Sequence, residues 1–202
     1  MRLWVDLDET KIETVEWVLQ FFDNKLFDVF ITKKDIINYQ MSKIPGFKIQ
    51  WITDKQVADL FDVFHLNAPI ELIKPIIKTR ENLIKLRSHG AHITTVTARH
   101  RWLHNVTIDI IDTYFKWLID DIIFADHYTA NHKSKWLICR ENHIDMMVDD
   151  NMDYAEELVS KWVPVHVIDQ PRNRHHDKSH KAYGIYHHKD WDGIANAIIW
   201  SH

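Results

Sequence analysis

The chain has 202 residues, 46% of them hydrophobic, and a formal net charge of −4 at pH 7. This length and composition suit one domain with an inserted or appended subdomain, and the interspersed charges exclude a DNA-coating surface or a polybasic membrane patch. A single cysteine excludes an internal disulfide and a cysteine-cluster zinc site. No apolar run approaches the length of a membrane span, so we expect a soluble, cytoplasmic protein.

Five short apolar runs predict the buried strands of a sheet. In chain order they are RLWV before Asp6, HITTV before Thr97, DIIF at 121–124, IDMMV before Asp149 and VPVHVI ending at Ile168. Helical segments lie between most of these runs. The alternation is typical of a parallel α/β sheet that is covered by helices on both faces.

Two of the intervening segments carry clear helical signals. PIIKTRENLIKLRSHG has Pro75 in a place suited to a first helical turn and Gly90 just past the expected end. WLHNVTIDIIDTYF, from Trp102 to Phe115, repeats apolar side chains at four-residue spacing. Each segment therefore predicts an amphipathic helix between two strands.

Residues 11–74 interrupt the alternation of strands and helices. The segment reads as mostly helical, and Thr53 and Gln56 form a capping-box pattern ahead of VADLFDVF. It contains too much apolar sequence for a loop. We therefore predict a helical cap at 11–74, inserted into an α/β core that is formed by residues 1–10 and 75–202.

Polar side chains of matching kinds follow three of the predicted strands. They are Asp6 and Asp8, then Thr97, Ala98 and Arg99, and finally Asp149 and Asp150. Ligands of an open parallel sheet bind beyond the carboxyl ends of its strands. Carboxylates that converge there repel one another unless a cation is present, and hard oxygen ligands beside a phosphate suit Mg²⁺.

These residues resemble the motifs of the haloacid dehalogenase superfamily. DLDET is similar to its DxDx[T/V] signature, ITTVTAR to its second motif and MMVDD to its acidic fourth motif, while HKSK offers the lysine of the third. TARHRWLHNVT, HIDMMVDD, VIDQPRNR and KDWDGI extend the resemblance to the 5'(3')-deoxyribonucleotidases over most of the chain. The resemblance implies a Rossmann-like α/β fold with a five-stranded parallel sheet and a small helical cap inserted after the first strand.

The resemblance also implies the chemistry, that of a Mg²⁺-dependent phosphomonoesterase. Asp6 would attack phosphorus and form an aspartyl-phosphate, and Asp8 would protonate the leaving oxygen and then activate water. The Asp6 carboxylate, the backbone carbonyl of Asp8 and Asp150 would hold Mg²⁺, with Asp149 acting through water or by orienting the other ligands. Thr10 is expected to shape the turn after the nucleophile by hydrogen bonding.

The same resemblance supplies donors for the phosphate group. Thr97 would donate a hydroxyl hydrogen bond, beside Ala98 and Arg99 in the substrate-binding turn. A lysine of HKSK would neutralise charge and steady the nucleophile. Lys133 is favoured, because it lies at the expected start of a helix, and Lys135 is the alternative.

The expected substrate is a small phosphate ester, most simply a deoxyribonucleoside monophosphate, with the base and the 5' or 3' preference left open. Phe47 and Trp51 could stack on a base, although core packing is the favoured role of each. The alternatives are a phosphatase for another ester or for a polynucleotide 3' end, and a non-catalytic protein that binds phosphate or metal. We expect no stable nucleic-acid partner, and the similarity to dimeric nucleotidases leaves a homodimer open.

Two parts of the sequence, the late loop and a histidine-rich stretch, do not follow the pattern of the deoxyribonucleotidases. Where the deoxyribonucleotidases commonly have an aromatic residue in the late loop, this chain has Arg172 before Asn173. The histidine-rich stretch 172–188 has irregular spacing and no cysteine, so we expect its histidines to be solvent-exposed and not a transition-metal site.

Overall fold

The fold is built around one parallel sheet. The computed structural model describes residues 1–127, 129–130, 132–175 and 184–201. The strands are β1 (Arg2–Val5), β2 (Lys25–Leu26), β3 (Val29–Phe30), β4 (His92–Thr97), β5 (Asp121–Phe124), β6 (Met146–Asp149), β7 (Val165–Ile168) and β8 (Ile185–His188).

Six of these strands pair in the order β5-β4-β1-β6-β7-β8, and every pair is parallel. In β1, Leu3, Trp4 and Val5 are fully buried, as expected for a central strand covered on both faces. The predicted α/β fold class and all five predicted strands are confirmed. The sheet is nevertheless six-stranded and not five-stranded.

The additional strand, β8, lies at the edge of the sheet beside β7. In its sequence IYHH only Ile185 is buried, and the other side chains are partly or fully exposed. An edge strand of this kind lacks the continuous apolar run by which the other five strands are recognised. Residues 176–183 of the histidine-rich stretch lie outside the described residues.

Helices cover the sheet within the described residues. They are α1 (Thr14–Phe21), α2 (Pro45–Ile49), α3 (Asp54–Asn67), α4 (Thr79–Ser88), α5 (His104–Tyr114), α6 (Lys135–Glu141), α7 (Met152–Val159) and α8 (Trp191–Trp200). The predicted capping box is confirmed, because the Thr53 side chain accepts from the Gln56 N–H and the Gln56 side chain returns to the Thr53 backbone. In the part of the chain that is described, no helix combines the length and apolar character that crossing a membrane requires.

Helix α4 begins later than the sequence suggests. Its first residue is Thr79, and Lys78 before it has a left-handed backbone with φ of +64°. Pro75 therefore precedes the helix and does not occupy its first turn. Gly90 follows the helix with φ of +83°, the conformation for which glycine is suited.

The chain between β1 and α4 contains α1, the hairpin of β2 and β3, α2, α3 and short 3₁₀ turns. The hairpin makes this segment less helical than predicted. Buried side chains of the segment, among them Leu26, Phe47 and Phe64, belong to the same hydrophobic cluster as Leu3 and Val5 of the sheet. The division into a core and a cap at 11–74 stays a prediction.

A contact between the buried His166 ring and the partly buried His188 ring links β7 to the edge strand. The Nδ1 of His166 lies 2.9 Å from the Nε2 of His188. Burial, together with the neighbouring His188, lowers the pKa of His166 to about 3. Between pH 6.5 and pH 3 the unfolded chain therefore binds a proton at this position that the folded chain does not, and folding stability falls as the pH falls.

We predict that His166→Asn flattens this dependence. In the middle of the window, the slope of the unfolding free energy against pH should decrease by about 1.4 kcal/mol per pH unit, the value for one proton. Urea unfolding of both proteins between pH 4 and pH 6.5 measures the two slopes. Equal slopes would show that His166 is not kept neutral by burial.

Candidate active site

Three carboxylates meet at the carboxyl edge of the sheet. Asp6 follows β1, and its N–H donates to the Val148 carbonyl of β6 at 2.9 Å. Asp149 ends β6 and Asp150 follows it. One oxygen from each of Asp6, Asp149 and Asp150 lies within 4.8 Å of the others, and all three side chains are buried. The geometry thus brings together acidic residues that are far apart in the sequence.

A lysine from α6 lies between two of these carboxylates. The Nζ of Lys135 is 2.8 Å from Oδ1 of Asp6 and 2.6 Å from Oδ2 of Asp149, and the lysine side chain is 3% exposed. Lys133 lies instead at the surface, with its Nζ 3.1 Å from Glu141. Lys133 is therefore the wrong choice for the contact with Asp6, and Lys135 occupies that position.

The helix start explains which lysine reaches the site. The Ser134 side chain accepts from the Leu137 N–H and so fixes Ser134 as the N-cap of α6. Lys135 is then the first helical residue, and side chains in a helix tilt toward its N-terminus. That tilt carries the Lys135 ammonium to the strand ends, whereas Lys133 precedes the cap.

Burial disfavours the ionised forms of the three carboxylates at the sheet edge. Burial raises the pKa of Asp149 to about 6, although Lys135 opposes the rise. Burial likewise raises the pKa of Asp150 to about 6 and raises that of Asp6 above its ordinary value. A further cation among them would favour the ionised forms.

Asp8 has a different environment from its neighbours. Its Oδ2 accepts from Nε of Arg99 at 2.9 Å and its Oδ1 from Nη2 at 2.7 Å, and the Thr14 hydroxyl also donates to it. Burial alone would raise the pKa of Asp8, but the Arg99 guanidinium outweighs burial and holds the pKa well below its usual value. Asp8 is thus ionised in this arrangement.

The residues after β4 are arranged around that ion pair. Arg99 also donates to the Thr107 hydroxyl at 3.2 Å, so each of its three guanidinium nitrogens donates to a group of the protein. The Thr97 hydroxyl accepts from the Arg99 N–H at 3.2 Å, which leaves its own hydrogen available. Ala98 lines the cavity in front of these groups. Of the three predicted substrate-binding residues here, Arg99 has its guanidinium in contact with Asp8.

The turn after the nucleophile is held by Glu9 and not by Thr10. The Thr10 hydroxyl is buried and, among the described residues, has no hydrogen-bond partner. Glu9 has a left-handed backbone with φ of 58°, and its side chain accepts from the Val15 N–H at 2.7 Å. The hydrogen-bonding role expected for Thr10 is therefore wrong.

Lys11 is a site residue that the sequence pattern does not reveal. Its ammonium donates to the Val5 carbonyl at 2.9 Å and to the Thr95 hydroxyl at 2.6 Å, and it is fully buried. Burial lowers the pKa of Lys11 to about 7. A lysine next to a motif gives no signal of burial, because lysines are ordinarily exposed.

Arg172 explains the departure in the late loop. Its Nε lies 2.5 Å from Oδ2 of Asp150, and its guanidinium lies over the Tyr39 ring at 4.9 Å from the centroid. The Asn173 side chain donates to the Asp150 carbonyl at 2.9 Å. The loop after β7 thus returns to the carboxylate cluster and supplies it with a second cation.

A cavity of about 530 Å³ opens in front of the strand ends. Side chains of residues 39–65, which lie between β1 and α4, form part of its lining. Helix α3 is hydrogen-bonded to the loop after β4. Nδ1 of His100 lies 2.7 Å from Oδ2 of Asp62, and the Trp102 indole donates to the same oxygen at 3.0 Å. Thr97 is fully buried and does not line the cavity. The residues described above that line it are Asp6, Asp8, Ala98, Arg99, Lys135, Asp149, Asp150 and Arg172, and the lining also includes Tyr39, Met41, Asp54, Val57, Phe61, Asp62, His65, His100, His127, Asp153 and Tyr154.

The two aromatic residues considered for base stacking lie elsewhere. Phe47 is fully buried against Phe27, with ring centroids 5.5 Å apart, and Trp51 is 89% exposed. Neither lines the cavity, whereas Tyr39, Phe61 and Tyr154 do. Core packing is the correct role for Phe47, and Trp51 packs in no core.

We predict that Arg172→Met destabilises the protein by about 3 kcal/mol at pH 7, because it leaves the buried Asp150 carboxylate without its guanidinium. Arg174→Met is the matched control. Arg174 pairs with Asp169 at the surface and is 57% exposed, so its loss should cost no more than about 1 kcal/mol. Urea unfolding measures both, and equal losses would contradict the importance of the Arg172–Asp150 pair.

Comparison with known proteins identifies the fold through solved structures. No protein-family model matches the chain, and no curated protein matches its sequence. A haloacid dehalogenase family hydrolase from Deinococcus radiodurans, solved with bound phosphate and sodium, superposes with a TM-score of 0.69 over 99% of this chain and 95% of its own, at 11% identity.

Two further structures give the same result. A predicted phosphatase from Clostridium acetobutylicum has a TM-score of 0.64 over 98% of both chains at 14% identity. A predicted phosphoglycolate phosphatase from Haemophilus somnus has a TM-score of 0.60 over 97% of this chain and 96% of its own at 12% identity. The chain therefore has the Rossmann-like α/β fold that these haloacid dehalogenase-like structures share.

Proposed function

We propose that the protein is a Mg²⁺-dependent phosphomonoesterase that hydrolyses nucleoside monophosphates, and deoxyribonucleotides in particular. The observation that carries the proposal is the position of Asp6. Its carboxylate lies at the floor of a cavity of about 530 Å³, fixed through one oxygen by Lys135 and flanked by Asp149 and Asp150. A fixed carboxylate beside an acidic cluster is suited to attack phosphorus.

The donor set fits Mg²⁺. The acidic oxygens of Asp6, Asp149 and Asp150 lie close together and are hard ligands. These three carboxylates contact two side-chain cations, Lys135 and Arg172, so a divalent cation would balance the charge that remains. We assign the metal to Asp6, Asp150 and the backbone carbonyl of Asp8. Asp149 uses one oxygen for Lys135 and the other for the Asn151 N–H, which supports an indirect role. When bound, Mg²⁺ would neutralise charge on the phosphoryl oxygens.

In the first step, a carboxylate oxygen of Asp6 attacks phosphorus and the ester P–O bond breaks, which leaves a phosphoryl group on Asp6. Asp8 gives a proton to the departing alcohol oxygen. In the second step, water attacks phosphorus, the bond to Asp6 breaks, and Asp8 takes the proton of that water. Lys135 holds Asp6 in place, and Thr97 donates to a phosphoryl oxygen.

The ion pair with Arg99 bears on the two roles of Asp8. An ionised Asp8 is the form that accepts a proton from water in the second step. The first step needs a protonated Asp8, so the proposal requires that its contacts with Arg99 loosen when the ester is bound. Arg99 is then a positioning residue and not a phosphate ligand.

The cavity supports a nucleotide as the ester. Its volume lies within the range of pockets that hold small molecules. Tyr39, Phe61 and Tyr154 offer ring faces on which a base can stack. The single, buried cysteine agrees with the reducing cytoplasm as the place of action.

We predict that Asp6→Asn keeps the fold and abolishes phosphate release, because an amide oxygen is a poor nucleophile. Phosphate release from a panel of 5' and 3' deoxyribonucleotides, ribonucleotides, sugar phosphates and an aryl phosphate, with Mg²⁺ and with EDTA, measures this. Release should need Mg²⁺ and favour deoxynucleotides. A fully active Asp6→Asn protein would contradict the mechanism. Release from the aryl phosphate alone would show that the protein is not a nucleotidase.

We also predict that the two lysines of HKSK differ in importance. Lys135→Met should lower kcat by about a hundredfold or more, as the loss of a fixed charge in an active site does. Lys133→Met, the matched control, removes only a surface ion pair and should change kcat by less than about twofold. The reverse order of effects would assign the third-motif role to Lys133.

A further inference from the structure

The charges that line the cavity are unevenly distributed. Beyond the strand ends, the side chains include the carboxylates of Asp54, Asp62 and Asp153. Among the described residues, the ammonium and guanidinium groups of the lining belong to Arg99, Lys135 and Arg172. The part of the cavity that would hold the alcohol portion of an ester is therefore acidic.

Each of these cations is already paired at the strand ends. Arg99 makes a two-point contact with Asp8, and Lys135 bridges Asp6 and Asp149. Arg172 contacts Asp150. Each of the three cations therefore lies against a carboxylate that offsets its charge.

The imidazoles of the lining do not supply the missing charge. Burial lowers the pKa of His65 to about 3 and that of His127 to about 4, so both rings are neutral near pH 7. His100 directs Nδ1 to Asp62 and its other nitrogen to the His127 carbonyl, at 2.6 Å. The rings of His65 and His127 therefore offer hydrogen bonds and flat surfaces, whereas both ring nitrogens of His100 are already taken up by acceptors, one of them the Asp62 carboxylate.

We infer that the site selects phosphate monoesters whose alcohol portion carries no second anionic group, and that it discriminates against esters with an additional carboxylate or phosphate. This inference rests on the proposed phosphomonoesterase function and narrows its substrate class. A second anion would be repelled by the carboxylates of Asp54 and Asp153, which form no salt bridge among the described residues. An uncharged alcohol portion with a ring would instead lie against Phe61, Met41 and the neighbouring aromatic rings.

A matched pair of esters tests the inference. Phosphoglycolate and 2-hydroxyethyl phosphate differ in that a carboxylate replaces a hydroxymethyl group. Their binding to the Asp6→Asn protein with Mg²⁺, measured by calorimetry, does not depend on turnover, and kcat/KM of the unmodified protein gives the second readout. We expect a preference of about tenfold or more for the uncharged ester, the factor that about 1.4 kcal/mol of discrimination produces.

The outcomes separate this inference from the proposed function. Equal or tighter binding of phosphoglycolate, or no binding of either ester, would overturn the selectivity. Selective binding without hydrolysis of either ester or of p-nitrophenyl phosphate would support the selectivity and contradict the proposed phosphatase activity.

A charge reversal locates the source of the selectivity. Asp153 is an exposed residue in the first turn of α7 that lines the cavity. Asp153→Lys should shift the ratio of the two binding constants toward phosphoglycolate by about threefold or more, because it puts a cation beside the second anion. Glu81→Lys changes the net charge equally on α4, away from the cavity lining, and should leave the ratio as it is. Equal ratios in the Asp153 and Glu81 variants would contradict a local origin.

Discussion

The buried ammonium of Lys135 is the contact on which the rest of the site depends. Carboxylates gathered at the end of a parallel sheet are costly to bury, because each loses water and repels the others. Lys135 meets two of them at 2.8 and 2.6 Å, and Arg99 and Arg172 pair with the other two. These ion pairs allow four carboxylates to remain at the floor of one cavity, although burial still raises the pKa of Asp149 and of Asp150 to about 6.

The same pairing divides the cavity into two chemically different parts. The strand-end part combines acidic oxygens with paired cations, and it suits a metal ion and a phosphate group. The outer part offers aromatic rings, imidazoles and carboxylates. A phosphate ester of an uncharged alcohol matches this division, which is why the proposed function and the proposed selectivity both follow from how the cations are used.

The acidic residues and the fold class could be predicted from the sequence, because Asp6, Asp149 and Asp150 directly end or follow apolar runs. Their meeting is then dictated by the parallel sheet. The choice between Lys133 and Lys135 could not be predicted from the sequence, since it depends on Ser134 being the N-cap of α6. The contact of Arg172 depends on where a loop returns after β7, and β8 is an edge strand without an apolar run. Long-range contacts of this kind leave no periodic signal in the chain.

The central claim is that Asp6 attacks phosphorus and carries the phosphoryl group between the two steps. It is tested most directly by stopping turnover with acid and analysing the peptide that contains Asp6 by mass spectrometry, with a deoxyribonucleotide and an aryl phosphate as substrates. The account predicts one added phosphoryl group on Asp6 during turnover and none in the Asp6→Asn protein. Phosphate release with Asp6 unmodified throughout, or with the phosphoryl group on another residue, would contradict it.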